Sequence, residues 1–144
     1  MDGDVVAVPE REVTLAELER EAASAWHALP NHAVVWLTGE LGTGKTTFVR
    51  ALTRAAGATP ARSPTYALVH EYASPAGTIV HVDCYRLRSP DEVLELDLPA
   101  VRRAARLVLI EWPERAGEHA PPPDLHLRLT HVRDPEHRGL ERVV

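Results

Sequence analysis

Apolar positions along this chain alternate between two periods, and each change of period marks a change of element. Thr14-Leu15-Ala16-Glu17 has the form of a capping box. It predicts a helix to about His27, with Leu15, Leu18, Ala22 and Trp26 inward and Pro30-Asn31 past its end. Residues 33–38 form a short apolar run that stops at Gly39, the signature of a buried strand. Residues 46–56 return to helical spacing, with Phe48, Leu52 and Ala55 on one face and Gly57 as the cap. Residues 67–72 and 78–83 read as strands joined by Ser74-Pro75-Ala76-Gly77, an antiparallel hairpin. Ser89-Pro90-Asp91-Glu92 is a second capping box opening a short helix. Pro99 interrupts the path, and residues 101–106 suggest a further helix. Residues 107–110 are a buried strand running into Glu111, and residues 125–129 alternate as a half-exposed strand. Pro121-Pro122-Pro123 before the latter is a stiff linker, and no repeat is visible.

The strand at 33–38 and the helix at 46–56 bracket Gly39-Glu40-Leu41-Gly42-Thr43-Gly44-Lys45-Thr46. This octapeptide is a full G-x-x-x-x-G-K-[ST] phosphate-binding loop in its proper strand–loop–helix setting. Glycines 39, 42 and 44 let the backbone curl so that its N–H groups converge on phosphate oxygens, and the helix N-terminus adds partial positive charge. Lys45 is the chain's sole lysine. Its compact ammonium suits the β- and γ-phosphates, where a planar guanidinium is too bulky. The Thr46 hydroxyl is placed for Mg²⁺. The loop predicts binding of a nucleoside triphosphate.

Composition narrows the class. At 144 residues the chain is expected to form one domain, residues 1–144, with a true core. A hydrophobic fraction of 44% suits a globular protein, and no apolar run approaches a membrane span. The acidic start Met1-Asp2-Gly3-Asp4 lacks the form of a signal peptide, and the lone Cys84 excludes an internal disulfide. Cytoplasm is the expected compartment. A net charge of −5 argues against a large autonomous nucleic-acid surface but not against RNA contact within a complex. The eight histidines show no metal-ligand spacing, although His70 and His81 stand on facing hairpin strands.

Nucleotide hydrolysis also needs an acid near the metal. Glu111 follows four apolar residues, and Asp83 ends the second hairpin strand. We place Glu111 near Mg²⁺ and Asp83 on the water or the metal's outer shell. The chain has no glutamine, which excludes a Ras-type water-positioning residue, and it has no Asn-Lys-x-Asp guanine-reading motif. ATP is therefore favoured over GTP. Arg86 and Arg115 follow the two acids and are candidates for charge neutralisation or for solvated surface.

Four segments occur in order: the loop through Thr47, Ser63-Pro64-Thr65-Tyr66, His81-Val82-Asp83-Cys84-Tyr85-Arg86-Leu87, and Ile110-Glu111-Trp112-Pro113-Glu114-Arg115. Together they resemble the TsaE (YjeE) family, the small ATPase subunit of the bacterial tRNA threonylcarbamoyladenosine machinery. The resemblance covers roughly residues 12 to 115; beyond it, Arg138 stands where the family tends to carry a late arginine before a short final strand. It implies an α/β fold, a P-loop NTPase-like three-layer sandwich whose mixed sheet includes the antiparallel hairpin. It implies Lys45, Asp83 and Glu111 in hydrolysis, Thr46 and Glu111 on Mg²⁺, and ATP on Glu40, Leu41, Gly42, Thr43, Gly44, Lys45, Thr46 and Thr47. Thr65 would belong to a switch-like loop, and Trp112 would sit at the site's edge.

The implied activity is weak, partner-dependent ATP hydrolysis. The implied partners are the TsaD-like threonylcarbamoyltransferase and its TsaB-like companion, with tRNA engaged indirectly and no membrane or DNA. Two other classes compete. A small-molecule kinase would need an acceptor pocket and an arginine-bearing lid, which Arg102-Arg103 and Arg106 imitate. A non-hydrolysing nucleotide-binding module would recruit partners without turnover.

Overall fold

The computed structural model describes residues 8–61 and 68–143. The strands are β1 (Val8–Thr14), β2 (Ala33–Thr38), β3 (Thr59–Pro60), β4 (Val69–Ser74), β5 (Gly77–Asp83), β6 (Leu107–Glu111), β7 (Leu125–His131) and β8 (His137–Arg142). The helices are α1 (Leu15–Ala28), α2 (Lys45–Ala55) and α3 (Leu98–Ala104). The strands form one sheet in the order β1-β8-β7-β2-β6-β5-β4-β3. The central four, β7-β2-β6-β5, are parallel, and antiparallel pairs flank them on both sides.

Of the central strands, β2 and β6 are apolar nearly throughout because both their faces are covered, whereas β7 alternates, with Leu125, Leu127 and Leu129 buried and Arg128 exposed. Every residue of β6 is buried. On one face Leu18, Ala22 and Trp26 of α1 and Phe48 and Leu52 of α2 pack on Val35, Leu37, Leu107 and Leu109. On the other, Val93 and Leu98 help cover Val34, Val82, Val108 and Ile110. The expected three layers are present, the second helical layer resting mainly on β5 and β6. Among the described residues no helix is long and apolar enough to cross a membrane.

Both capping boxes form. Thr14 Oγ1 accepts the Glu17 N–H at 3.1 Å while Glu17 accepts the Thr14 N–H at 2.8 Å. Leu15 departs from expectation: it is 47% exposed rather than inward. A helical side chain leans toward the N-terminus, so a first-turn residue projects past the end of the sheet. After Ser89 the chain forms a 3₁₀ helix, Pro90–Leu96, rather than an α-helix. Asp97 then takes φ 51° and N-caps α3, with its carboxylate accepting the Ala100 N–H. Pro99 thus opens α3 instead of breaking a path, because a first-turn proline forfeits no helical hydrogen bond.

The hairpin is as expected, with Ser74 opposite Gly77 and His70 opposite His81. β8 pairs with β7 on one side and β1 on the other. β1 and the two-residue β3 were not expected from the sequence.

Candidate nucleotide and metal site

β2 ends at Thr38, and the phosphate-binding loop turns directly into α2. Three positive φ angles make the turn: 138° at Gly39, 78° at Gly42 and 108° at Gly44. At Gly39 a Cβ would stand 2.2 Å from the Leu129 carbonyl oxygen, so the loop lies against the end of β7 as only glycine allows. Gly44 caps α2 without any side-chain hydrogen bond, which leaves the first-turn N–H groups open to an anion.

Lys45 is 5% exposed. Its ammonium donates to the carbonyls of Gly39 and Glu40 at 2.5 and 2.8 Å and lies 4.6 Å from the centre of the Trp112 ring. Burial pulls its pKa down, and the nearby charges of Glu111, Asp83 and Glu114 oppose that shift. The ammonium is thus desolvated and poised against acidic neighbours.

Asp83 and Glu111 are direct register partners at the carboxyl ends of β5 and β6. Ile79 and Leu109, each an even number of residues away, belong to the core beneath α1 and α2, so both acids stand on the α2 face. Asp83 Oδ1 accepts the Tyr85 N–H at 3.0 Å. Glu111 is 3% exposed, and its Oε2 lies 2.6 Å from His81 Nε2.

These groups meet in one pocket of about 280 Å³. It is lined by Leu41, Gly42, Gly44, Lys45, Thr46 and Thr47 of the loop and by Asp83, Glu111 and Trp112 from the neighbouring strand ends. The sequence reading had all of these. Glu40 instead lines an adjoining cavity of about 610 Å³, and Thr43 is fully buried, its hydroxyl bound to the Glu40 carbonyl. The Thr43 side chain thus braces the loop from outside the pocket, through the Glu40 backbone. Thr65 lies outside the described residues. The larger cavity shares Trp112 as a wall but lacks Lys45 and both acids, so the smaller pocket is where phosphate chemistry is possible.

Three lining residues were not assigned to the site from sequence: Leu15, Tyr85 and Arg138. The exposed Leu15 and Leu41 give the pocket an apolar rim. Tyr85 packs on Trp112 with ring centres 5.0 Å apart. Arg115 lies 5.0 and 5.2 Å over these two rings and donates to the Tyr85 carbonyl, whereas Arg86 is exposed. Arg102 and Arg106 bind the carbonyls of His32, Pro30 and Leu29. Those groups lie at the amino ends of β2 and β6, opposite the phosphate-binding loop, so they form no lid over it.

The donors facing a cation are oxygens, the Thr46 hydroxyl and two carboxylates, which suit a hard divalent ion. Among the described residues no three His, Cys, Asp or Glu gather into a ready metal cage. Mg²⁺ beside nucleotide phosphates needs only one or two protein oxygens, so this donor set fits it.

Residues 13–140 match the sequence model of a family described as threonylcarbamoyl adenosine biosynthesis protein TsaE. The chain is 39% identical over 107 residues to the tRNA threonylcarbamoyladenosine biosynthesis protein TsaE of Rickettsia bellii, covering 73% of each chain. It is 34% identical over 102 residues to the protein of that name from Haemophilus influenzae, covering 70% of this chain and 65% of the other. The crystal structure of Bacillus subtilis YdiB superimposes with a TM-score of 0.73 at 22% identity, over 98% of this chain and 87% of that one, a likeness of fold.

Proposed function

The chain belongs to the TsaE family, and from that membership we propose that it is a cytoplasmic, Mg²⁺-dependent ATP hydrolase serving tRNA threonylcarbamoyladenosine formation. The observation that carries the hydrolase reading is the meeting of Lys45, Thr46, Asp83 and Glu111 in one pocket at the mouth of the phosphate-binding loop.

Each group has one task in this reading. Backbone N–H groups of residues 42–47 receive the phosphates at the N-terminus of α2. Lys45 exchanges two loop carbonyls for phosphate oxygens, which relieves an ammonium that burial disfavours. Thr46 and Glu111 hold Mg²⁺, which when bound neutralises charge on the phosphates. Asp83 orients the attacking water or a water on the metal. Leu15 and Leu41 offer apolar surface to the base, and Trp112 closes the pocket over Lys45. Thr65 enters through the family resemblance alone, as part of a loop that would respond to the γ-phosphate. The partners are the TsaD-like transferase and TsaB-like companion, and tRNA is engaged through them.

The test is phosphate release from ATP with and without purified TsaB- and TsaD-like proteins, with Lys45→Ala as the blank. Weak release that rises with the partners supports the reading. Release indifferent to the partners overturns the accessory role, and ATP bound without release in the full mixture favours a non-hydrolysing module. Transfer of phosphate to a metabolite would favour a kinase, a reading weakened by the position of Arg102 and Arg106 away from the loop.

A further inference from the structure

Glu111 presents a physical problem that its neighbours solve. A carboxylate 3% exposed is costly unless hydrogen-bonded, and three side-chain torsions give it many ways to miss a ligand. The only hydrogen bond to its side chain among the described residues comes from His81, Nε2 to Oε2, at 2.6 Å.

The bond follows from sheet geometry. His81 and Asp83 lie two residues apart on β5 and share a face. His81 registers with Leu109 on β6, and Asp83 with Glu111. The imidazole therefore sits one pleat below Asp83 and reaches diagonally to Glu111. His81 is itself 6% exposed and does not line the phosphate pocket. Its ring stacks on that of His70 in the adjacent strand, with centres 5.7 Å apart and planes 25° apart. The stack limits rotation of the ring about its own axis. A carboxylate can only accept, so Nε2 carries the proton of this bond.

We propose that His81 is a positioning residue for Glu111: its Nε2–H fixes Oε2 and thereby presents Oε1 to the metal beside the nucleotide phosphates. Hydrogen-bond partners of ligating carboxylates set the ligand's orientation, and losing one typically costs about 10–100-fold in metal affinity or activity. His81 touches neither nucleotide nor metal and acts through Glu111 alone. This inference rests on the reading of Glu111 as an acid near Mg²⁺.

The experiment compares His81→Gln with His81→Asn, both polar and smaller than histidine. The glutamine amide reaches the place of Nε2, whereas the asparagine amide stops near that of Nδ1. Two readouts are taken: Mn²⁺ affinity of the ADP-bound protein by electron paramagnetic resonance, and kcat and KM for ATP with partners present. His81→Gln is expected to keep Mn²⁺ affinity and kcat within a few-fold of the parent. His81→Asn is expected to lose about 10-fold or more in both, with ADP affinity measured without metal unchanged. Equal Mn²⁺ affinity in the parent and both variants overturns the proposal. So does an equal loss in both variants, which would mark a packing role. If the parent binds Mn²⁺ with ADP yet releases no phosphate, the hydrolase reading fails while the Mn²⁺ comparison still decides the role of His81. If Glu111→Gln leaves parental Mn²⁺ affinity intact, the metal role of Glu111 fails, and this proposal with it.

Discussion

The Lys45 ammonium stands over the Trp112 ring, 4.6 Å from its centre. Trp112 holds that place with φ 56° and ψ 48°, a left-handed conformation unusual for so bulky a residue. The ring is packed by Tyr85 and Arg115, and its strained backbone directly follows Glu111. Strain of this kind persists only where surrounding contacts over-determine it.

Trp112 should therefore report the occupancy of the loop. In the proposed nucleotide-bound state Lys45 leaves the indole face for phosphate, so Mg-ADP is expected to change tryptophan emission. Trp26 and Trp36 supply the background, and Trp112→Phe should abolish the change. A response that survives Trp112→Phe would place the reporter at another ring.

The loop glycines should differ in their tolerance of a methyl group. At Gly39 a Cβ meets the Leu129 carbonyl oxygen at 2.2 Å in a backbone of φ 138°, so loop or β7 must shift. At Gly42 the nearest atom is 3.7 Å away, which leaves only the positive φ. Gly42→Ala is expected to cost about 1–2 kcal/mol, the usual left-handed penalty. Gly39→Ala should cost about 3 kcal/mol or more, among the larger single-residue effects. Urea midpoints at constant slope measure both, and equal costs would contradict the close approach at Gly39.

Much of the site was legible because phosphate binding depends on local sequence: one octapeptide, with its strand and helix, carries loop, cation and Thr46. Asp83 and Glu111 were legible as strand-end acids. That they are register partners was not, because parallel pairing of β5 with β6 is a long-range fact. The same reason hid the His81–Glu111 bond, which runs diagonally between strands 30 residues apart. β1 was missed because its sequence, Val-Pro-Glu-Arg-Glu-Val-Thr, buries little by itself and takes its order from β8. The Ser89 cap was read correctly, but a cap marks where a helix begins and does not choose between α and 3₁₀.

Lys45 should leave a mark on stability with a definite sign. Burial holds its pKa below the ordinary 10.5, so between the two values the folded chain binds fewer protons than the unfolded one. Unfolding takes up a proton there, and this group's contribution to stability rises with pH through that window. The unfolding free energy of the parent minus that of Lys45→Met should therefore increase as pH rises toward 10.5. Denaturant titrations across that range measure it, and a falling difference would contradict the desolvation of Lys45.

Cys84 should be inert in the native protein. It is fully buried, and burial, with help from Asp83 and Glu114, pushes its thiol up to about 12. At pH 8 iodoacetamide is expected to label it only in denaturant, because thiolate is the reactive form. Rapid native labelling would show that the strand end opens.

The pocket is walled in part by Leu15, directly after β1, and by Arg138 in β8. Thr14 pairs with His137, so these walls meet across the first and last described strands. During translation β8 leaves the ribosome long after the phosphate-binding loop, and β1 must wait for it to find its hydrogen-bonding partner. The growing chain can shape its glycine loop early, but the site is enclosed only once β8 has emerged. If the pocket holds nucleotide as proposed, a chain stalled before Arg138 should hold it poorly.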